Sequence, residues 1–265
     1  MRQQTELTIF AGILVYGPLR DEYAPAVHSL LSGDLPREWE WVESSSNSIA
    51  ARRTQPPAYY KEFLNRSPLE GLKSLIRGSR CTRARVQAEI LRQSGFCSPK
   101  IHCWGRRRQR HFMVAEGIDA PGLGKFIHEH WRQPPSRDEL FTKRMIIEKL
   151  GEEIGRLHKA GICHGDLRLN NILVQVRGKE IIFHFVDNER NRSYRQVPKR
   201  FIEKNLVQLN MVFPLYVTLQ DRLRFFKAYS RVYARFSRTE RRDLAERVQS
   251  LTVRRLVRRG KRWGG

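Results

Sequence analysis

The sequence predicts an α+β chain in two lobes, a small antiparallel-sheet lobe followed by a mainly helical one. Three observations lead there. Between Trp39 and Ala115, short runs of β-branched and aromatic residues alternate with turn residues. From Ser136 onward, apolar residues recur at three- and four-residue spacing, the period of amphipathic helices. The two regimes meet at Glu116-Gly117-Ile118-Asp119-Ala120-Pro121-Gly122, a connector rich in turn-forming residues. The expected division is 1–36 as an N-terminal extension, 37–118 as the sheet lobe and 119–265 as the helical lobe with a basic C-terminal helix.

Strands are expected at Trp39 to Val42 and Ile49 to Arg53, joined through the glycine-free loop Ser44 to Ser48. That loop reads equally as a backbone cover for phosphates or as an ordinary serine-rich hairpin. Ala58 to Leu64 is an aromatic, strand-like run that carries one cation, Lys61. A helix over Cys81 to Ser94 has Val86, Ile90 and Leu91 as its apolar side and a lone acid, Glu89, among arginines. Glu89 can pair with Lys61 or with arginines one turn away. A hairpin follows, Lys100 to Trp104 and His111 to Ala115 around the basic turn 105–110.

In the helical half, Ser136-x-x-Glu139 is a capping box, Met145, Ile146, Leu150, Ile154 and Leu157 form a stripe, and Gly161 ends the helix. His158 reads as a favourable contact with the helix C-terminus. Further helices are expected at Phe201 to Met211, at Asp221 to Phe236 with Leu223, Phe226, Tyr229, Val232 and Tyr233 buried, and at Glu240 to Arg258. The tail from Thr252 carries Arg254, Arg255, Arg258, Arg259, Lys261, Arg262 and Trp263 without an acid. It suits an interfacial helix on an anionic bilayer, or equally a solvated helix end.

The chain has 265 residues, 40% of them apolar, with 50 Lys+Arg against 27 Asp+Glu and a net charge of +23. That imbalance exceeds what solubility needs and suits an anionic partner, nucleic acid or an anionic membrane surface. Cys81, Cys97, Cys103 and Cys163 form no C-x-x-C pair and read as reduced thiols of a cytosolic protein, not a disulfide frame or zinc site. The apolar run Leu7 to Leu19 is broken by Thr8, Gly12 and Gly17 and is too short to span a bilayer. With Glu6 at its entrance and no cleavage site close behind, it reads as a strand or packed arm, not a signal peptide.

The most informative stretch is His164-Gly165-Asp166-Leu167-Arg168-Leu169-Asn170-Asn171. It leads into the strand-like run Ile172 to Val176, the turn Arg177-Gly178-Lys179, and a second run, Ile181 to Val186, which ends on Asp187. Antiparallel pairing of the two runs brings Asn171 and Asp187 together, so that an amide and a carboxylate share one hard cation such as Mg²⁺. Asp166, on the loop leading in, then faces a substrate held by that cation. These are the parts that in-line phosphoryl transfer requires, and H-x-D-x-x-x-x-N with a strand-terminal Asp is the catalytic half of the protein-kinase signature. The bland alternative is a polar turn between core strands with Asp166 as a cap. In a kinase setting Lys61 holds the nucleotide phosphates, Glu89 orients Lys61, and the Glu116 carbonyl and Ile118 amide bond an adenine.

With these residues assembled, the chain resembles the lipopolysaccharide core kinases, the Kdo/heptose kinase family, small relatives of protein kinases. The resemblance is clearest from Cys81 to Tyr229. It rests on Arg83-Ala84-Arg85 with Glu89 and Pro99, on His164-Gly165-Asp166-Leu167-Arg168 with Asn171, on Phe185-Val186-Asp187, on Lys204-Asn205-Leu206-x-x-Leu209-Asn210, and on Asp221-Arg222 with Phe226 and Tyr229. It implies a two-lobed protein-kinase-like fold and ATP- and Mg²⁺-dependent phosphorylation of a lipopolysaccharide inner-core sugar hydroxyl. The implied place is the cytoplasmic face of the inner membrane, in peripheral contact with anionic lipid. Carried over, Asp166 receives or orients the hydroxyl proton, Arg168 neutralises the travelling phosphoryl group, Asn171 and Asp187 hold the metal, and His164 supports the loop. Departures are Gly165 where protein kinases have Arg, Asn188-Glu189 after Asp187 in place of Phe-Gly, and Asn205 where an acid often supports the loop. Two other readings are a small-molecule or atypical protein kinase of the same fold, and a basic nucleic-acid-binding protein or pseudokinase scaffold. The last lacks every recognisable nucleic-acid-reading motif, so nucleic acid is not the expected partner.

Overall fold

A computed structural model of the chain describes residues 6–44, 46–64, 78–131 and 136–263, without the side chains of Arg259, Lys261, Arg262 and Trp263. Ser45, in the expected phosphate-covering loop, and Pro134-Pro135 lie outside the described residues. The chain forms two compact units, Met1–Ile90 with Ser98–Asp119, and Leu91–Cys97 with Ala120–Gly265.

The first unit is an antiparallel sheet of seven strands among the described residues, in the order β1-β2-β6-β7-β5-β4-β3. These strands are β1 (Leu7–Phe10), β2 (Ile13–Tyr16), β3 (Trp39–Val42), β4 (Ser48–Arg53), β5 (Ala58–Phe63), β6 (Ile101–Arg107) and β7 (Arg110–Glu116). The stretch 1–36, expected as an extension, is corrected here. Its described part supplies β1, β2 and helix α1 (Arg20–Ser32), and β2 pairs with β6 at Tyr16↔Trp104. The alternation of Ile13 and Val15, both buried, gives β2 one face for the core. Helix α1 buries Tyr23, Ala24, Val27, Leu30 and Leu31 in the cluster that also contains Val15, Tyr60, Phe112 and Val114. Each buried Val or Leu among them contributes about 1.5–3 kcal/mol.

Helix α2 (Arg80–Gln93) packs against the end of β5 through Cys81, Ala84 and Phe63. Its buried stripe is Cys81, Ala84, Ala88 and Leu91, while Val86, expected inside, is 38% exposed. Small residues face the sheet because a helix lying close to a strand has no room for β-branched ones. Glu62, fully buried on β5, is held by Arg110 at 2.6 and 2.8 Å, and Arg110 also donates to the Leu31 carbonyl, tying sheet to α1.

The second unit is mainly helical, with α3 (Leu123–His130), α4 (Arg137–Lys159), α5 (Lys199–Leu209), α6 (Leu219–Val232) and α7 (Arg238–Trp263). The expected capping box starts α4, with Glu139 N–H donating to Ser136 Oγ and Ser136 N–H to Glu139 Oε2. Gly151 lets α4 and α6 approach, because a Cβ there would meet the Phe225 carbonyl at 2.4 Å. Along α6, Tyr229 and Tyr233 are buried as expected, but Leu223 is 57% exposed. A hairpin of β9 (Ile172–Arg177) and β10 (Glu180–Phe185) and a short pair of β8 (Ile162–Cys163) with β11 (Arg192–Ser193) complete the unit. Cys81, Cys103 and Cys163 are buried free thiols.

Lys143 of α4 and Asp221 of α6 form a buried ion pair at 2.9 Å, and the Lys143 ammonium also donates to the Tyr216 carbonyl at 2.7 Å. Burial raises the Asp221 carboxyl, but the bonds from Lys143 and Thr218 outweigh it and hold it below its usual range. Replacing Lys143 with Met leaves that carboxylate buried beside fewer donors. Urea denaturation of Lys143→Met is expected to show a loss of roughly 3–5 kcal/mol.

Candidate active site

The loop between β8 and β9 carries His164, Asp166, Arg168 and Asn171, and every backbone amide from Gly165 to Arg168 has an identified acceptor. Gly165 N–H donates to Asn191 Oδ1 at 3.0 Å, Asp166 N–H to His164 Nδ1 at 3.2 Å, Leu167 N–H to Gln208 Oε1 at 3.2 Å, and Arg168 N–H to the Asp166 carbonyl at 2.9 Å. On the acceptor side, the His164 carbonyl receives Asn205 Nδ2 at 2.7 Å and the Gly165 carbonyl receives Lys204 Nζ at 2.7 Å. A loop without regular structure is rigid only if such groups are met one by one, and here they are. Gly165 itself is required. A Cβ there would meet the Arg190 Cβ and carbonyl oxygen at 2.2 Å.

His164 is fully buried, its Nε2 3.2 Å from the Val186 carbonyl. With Nδ1 accepting from Asp166, the ring is the neutral Nε2–H tautomer, and burial lowers its pKa to about 4. It supports the loop, as the resemblance implies. His158 is corrected. It sits in the last turn of α4 as expected, but its ring is buried against α5 and α6, with Nδ1 3.0 Å from Tyr229 Oη and Nε2 3.2 Å from Asn205 Oδ1, and is no solvent-facing cation at the helix end. Burial lowers it to about 4 as well. Because Asn205 presents an oxygen to His158, its amino group is turned to the His164 carbonyl.

Asp166 is mostly buried, its carboxylate gripped by Arg168 through Nε at 2.9 Å and Nη2 at 2.7 Å and by Gln208 Nε2 at 3.0 Å. Asn171 Nδ2 donates to the Asp166 carbonyl at 2.8 Å, so the atom Asn171 can offer a cation is Oδ1. The register Phe185↔Ile172 and the bond from Val186 N–H to the Asn171 carbonyl at 3.0 Å bring Asp187 to the same end of the hairpin as Asn171. Asp187 is not strand-terminal as expected. The strand stops at Phe185, and Asp187 adopts the left-handed conformation (φ 58°, ψ 49°), which Asp tolerates better than most residues. Among the described residues, no group of three or more His, Cys, Asp or Glu could hold a metal. An amide oxygen and one carboxylate fit a small hard cation that takes its other ligands from water and phosphate.

The remaining expected site residues belong to the first unit. Lys61 lies on β5, opposite Ala50 and Met113, with Nζ 5.4 Å from the Phe63 ring centre. Glu89 is exposed on α2, Glu116 ends β7, and Ile118 follows it. Sequence reasoning assigned no role at the site to Gln208, Lys204 or Asn191. The signal for the first two is a polar stripe on an amphipathic helix, since Gln208 lies one turn beyond Lys204 and Asn205 on α5. Also unanticipated is an apolar cavity of about 150 Å³ in the second unit, lined in part by Leu169, Leu206, Leu209, Leu219 and Leu223.

A sheet unit followed by a helical unit, with an H-x-D-x-x-x-x-N loop and a hairpin ending near an Asp, is an α+β kinase-like fold. A solved structure of WaaP in complex with acyl carrier protein matches it at TM-score 0.59 and 21% identity, covering 83% of this chain and 88% of that one. Residues 105–229 match the lipopolysaccharide kinase (Kdo/WaaP) family model. The chain is 27% identical over 152 residues to the lipopolysaccharide core heptose(I) kinase WaaP of Pseudomonas aeruginosa, 53% of this chain and 56% of that protein. It is 40% identical over 73 residues, 28% of this chain and 13% of the other, to a probable bifunctional tRNA threonylcarbamoyladenosine biosynthesis protein of Methanothermobacter thermautotrophicus. The chain thus spans little more than half the length of the first of these relatives, and its resemblance to the lipopolysaccharide kinases stands.

The two buried histidines make stability depend on pH. Their folded pKa values, about 4, lie below the unfolded value near 6.5, so the unfolded chain binds more protons between those limits. Stability is full above about pH 6.5 and is lost as pH falls toward 4. At pH 5 the loss is on the order of 2 kcal/mol for each histidine. Denaturant melts between pH 7 and 5 should show this loss, and a His158→Gln variant should show about half of it.

Proposed function

We propose that this protein is an ATP- and Mg²⁺-dependent kinase that phosphorylates a sugar hydroxyl of the lipopolysaccharide inner core, a heptose or Kdo. The single observation that carries the reading is the Asp166 carboxylate, fixed by Arg168 and Gln208 on a loop whose Asn171 leaves only an oxygen to offer a cation. Asp166 orients the acceptor hydroxyl and takes its proton as the sugar oxygen bonds to the γ-phosphorus of ATP and the bond from that phosphorus to ADP breaks. Arg168, more than half exposed, is able to leave the carboxylate for the anionic group being transferred. Asn171 and Asp187 would hold Mg²⁺, which when bound neutralises phosphate charge. Lys61 would hold the nucleotide phosphates, Glu89 would orient it, and the Glu116 carbonyl and Ile118 amide would bond the adenine.

The chain's net charge of +23 and the exposed Arg254, Arg255 and Arg258 beside Val253 and Val257 on α7 support peripheral contact with an anionic inner-membrane surface. No described helix is long and apolar enough to cross a membrane. The similar WaaP structure is a complex with acyl carrier protein, and the apolar cavity supports an amphiphilic partner for this chain too. A kinase of the same fold with a protein or small-molecule acceptor is the second reading, supported by the H-x-D-x-x-x-x-N loop, which protein kinases share.

Purified protein with ATP, Mg²⁺ and deacylated lipopolysaccharide should transfer phosphate to the core. Asp166→Asn, nearly isosteric, should lower kcat by about 10²–10⁴-fold. Equal transfer by the variant removes Asp166 from the chemistry, and preference for a protein or small-molecule acceptor in the same assay favours the second reading. Sedimentation with anionic vesicles should exceed that with zwitterionic ones and fall sharply as salt rises.

A further inference from the structure

The geometry points to Gln208 as the positioning residue that keeps the Asp166 carboxylate in place while Arg168 turns to an incoming anion. This rests on the reading of Asp166 as the residue that takes the acceptor proton. Two donors grip that carboxylate, and they differ in kind. Arg168 is charged and sits on a long side chain that is 59% exposed. Any phosphoryl group or anionic glycan brought to the loop competes for its guanidinium, so its hold on Asp166 weakens at the moment of reaction. Gln208 is neutral and has no such competitor.

The orientation of the Gln208 amide follows from its neighbours. Its Oε1 receives Leu167 N–H at 3.2 Å and Asn205 Nδ2 at 3.3 Å, and both partners can only donate in this direction. A flipped amide would set donor against donor at both places. Nε2 is therefore the atom that faces Asp166 Oδ1, at 3.0 Å. The Asn205 amide is fixed in the same way by the His164 carbonyl, which can only accept, so its Oδ1 faces His158 and the orientation of Gln208 is inherited from the buried core of the helical unit. Helix α5 thus reaches the acidic side chain through one rigid neutral donor, the arrangement that keeps a carboxylate aligned without competing for the transferred group.

Glu in place of Gln208 is nearly isosteric and still accepts from Leu167 and Asn205, but it offers Asp166 a like charge where a donor stood. Leu removes both functions, and Lys restores a donor alone. If Gln208 positions Asp166, kcat for transfer from ATP to deacylated lipopolysaccharide falls by about 10–100-fold in both Gln208→Glu and Gln208→Leu. KM for ATP stays within about twofold of wild type, and Gln208→Lys regains at least about threefold of the kcat lost in the Leu variant. If Gln208 only braces the loop, Glu retains wild-type kcat and Lys fares no better than Leu. Either of those results overturns the inference, as does a rise in KM at unchanged kcat. Should Gln208→Glu not fold, the comparison of Lys with Leu decides the matter. Absence of transfer by the wild-type chain overturns the kinase reading and this inference together, whereas an active wild type with an unimpaired Glu variant overturns this inference alone.

Discussion

The hydrogen bond from Asn205 to the carbonyl of His164 is the contact on which the arrangement of the site depends. It joins a helix to a loop that has no regular structure of its own, at 2.7 Å and out of reach of water. Behind it, His158 and Tyr229 fix the amide from the opposite side, so α4, α5 and α6 all bear on one side chain. A carboxylate at position 205 would accept from His158 equally well but would offer the His164 carbonyl no donor. The amide is the suited residue here, because this carbonyl needs a hydrogen and His158 needs an oxygen.

From that anchor the rest follows in short steps. His164 stays neutral, hands one nitrogen to the Asp166 amide and turns the other to Val186, at the end of the hairpin. Asn171 meets the Asp166 carbonyl, and the hairpin register returns Asp187 to the same end. Charge is kept at the edge of this network, in Asp166, Arg168 and Lys204, while its interior consists of neutral amides and imidazoles. Burying neutral groups that are fully bonded avoids the desolvation that ionised ones would suffer.

The parts of the fold legible in the sequence are those written in local spacing. The Ser136 capping box, the β9–β10 hairpin around Gly178 and the strand that carries Lys61 each follow from residues a few positions apart. What escaped reading depends on distant partners. Strand β2 could not be recognised as part of the sheet because its neighbour, at Trp104, is far along the chain. His158 was rightly placed in the last turn of its helix, but its buried bond to Tyr229 could not be read because that partner lies 71 residues away. Val86 and Leu223 were taken as buried on period alone, though the small residues Ala84 and Ala88 set the packed face of α2, and Leu223 lines the apolar cavity. The H-x-D-x-x-x-x-N motif pointed to Asp166, Asn171 and Asp187, but it is silent on Gln208, whose bond to Asp166 exists only once α5 lies against the loop.

Hydrogen exchange of an Asn205→Asp variant tests the anchor without recourse to activity. Loss of the donor to a buried carbonyl should destabilise the second unit by about 1–3 kcal/mol. The amides of Gly165 to Asn171 should exchange faster than in wild type, while those of β4 and β5 keep their rates. Unchanged protection across the loop would contradict the account, because the His164 carbonyl would then be held by something other than Asn205.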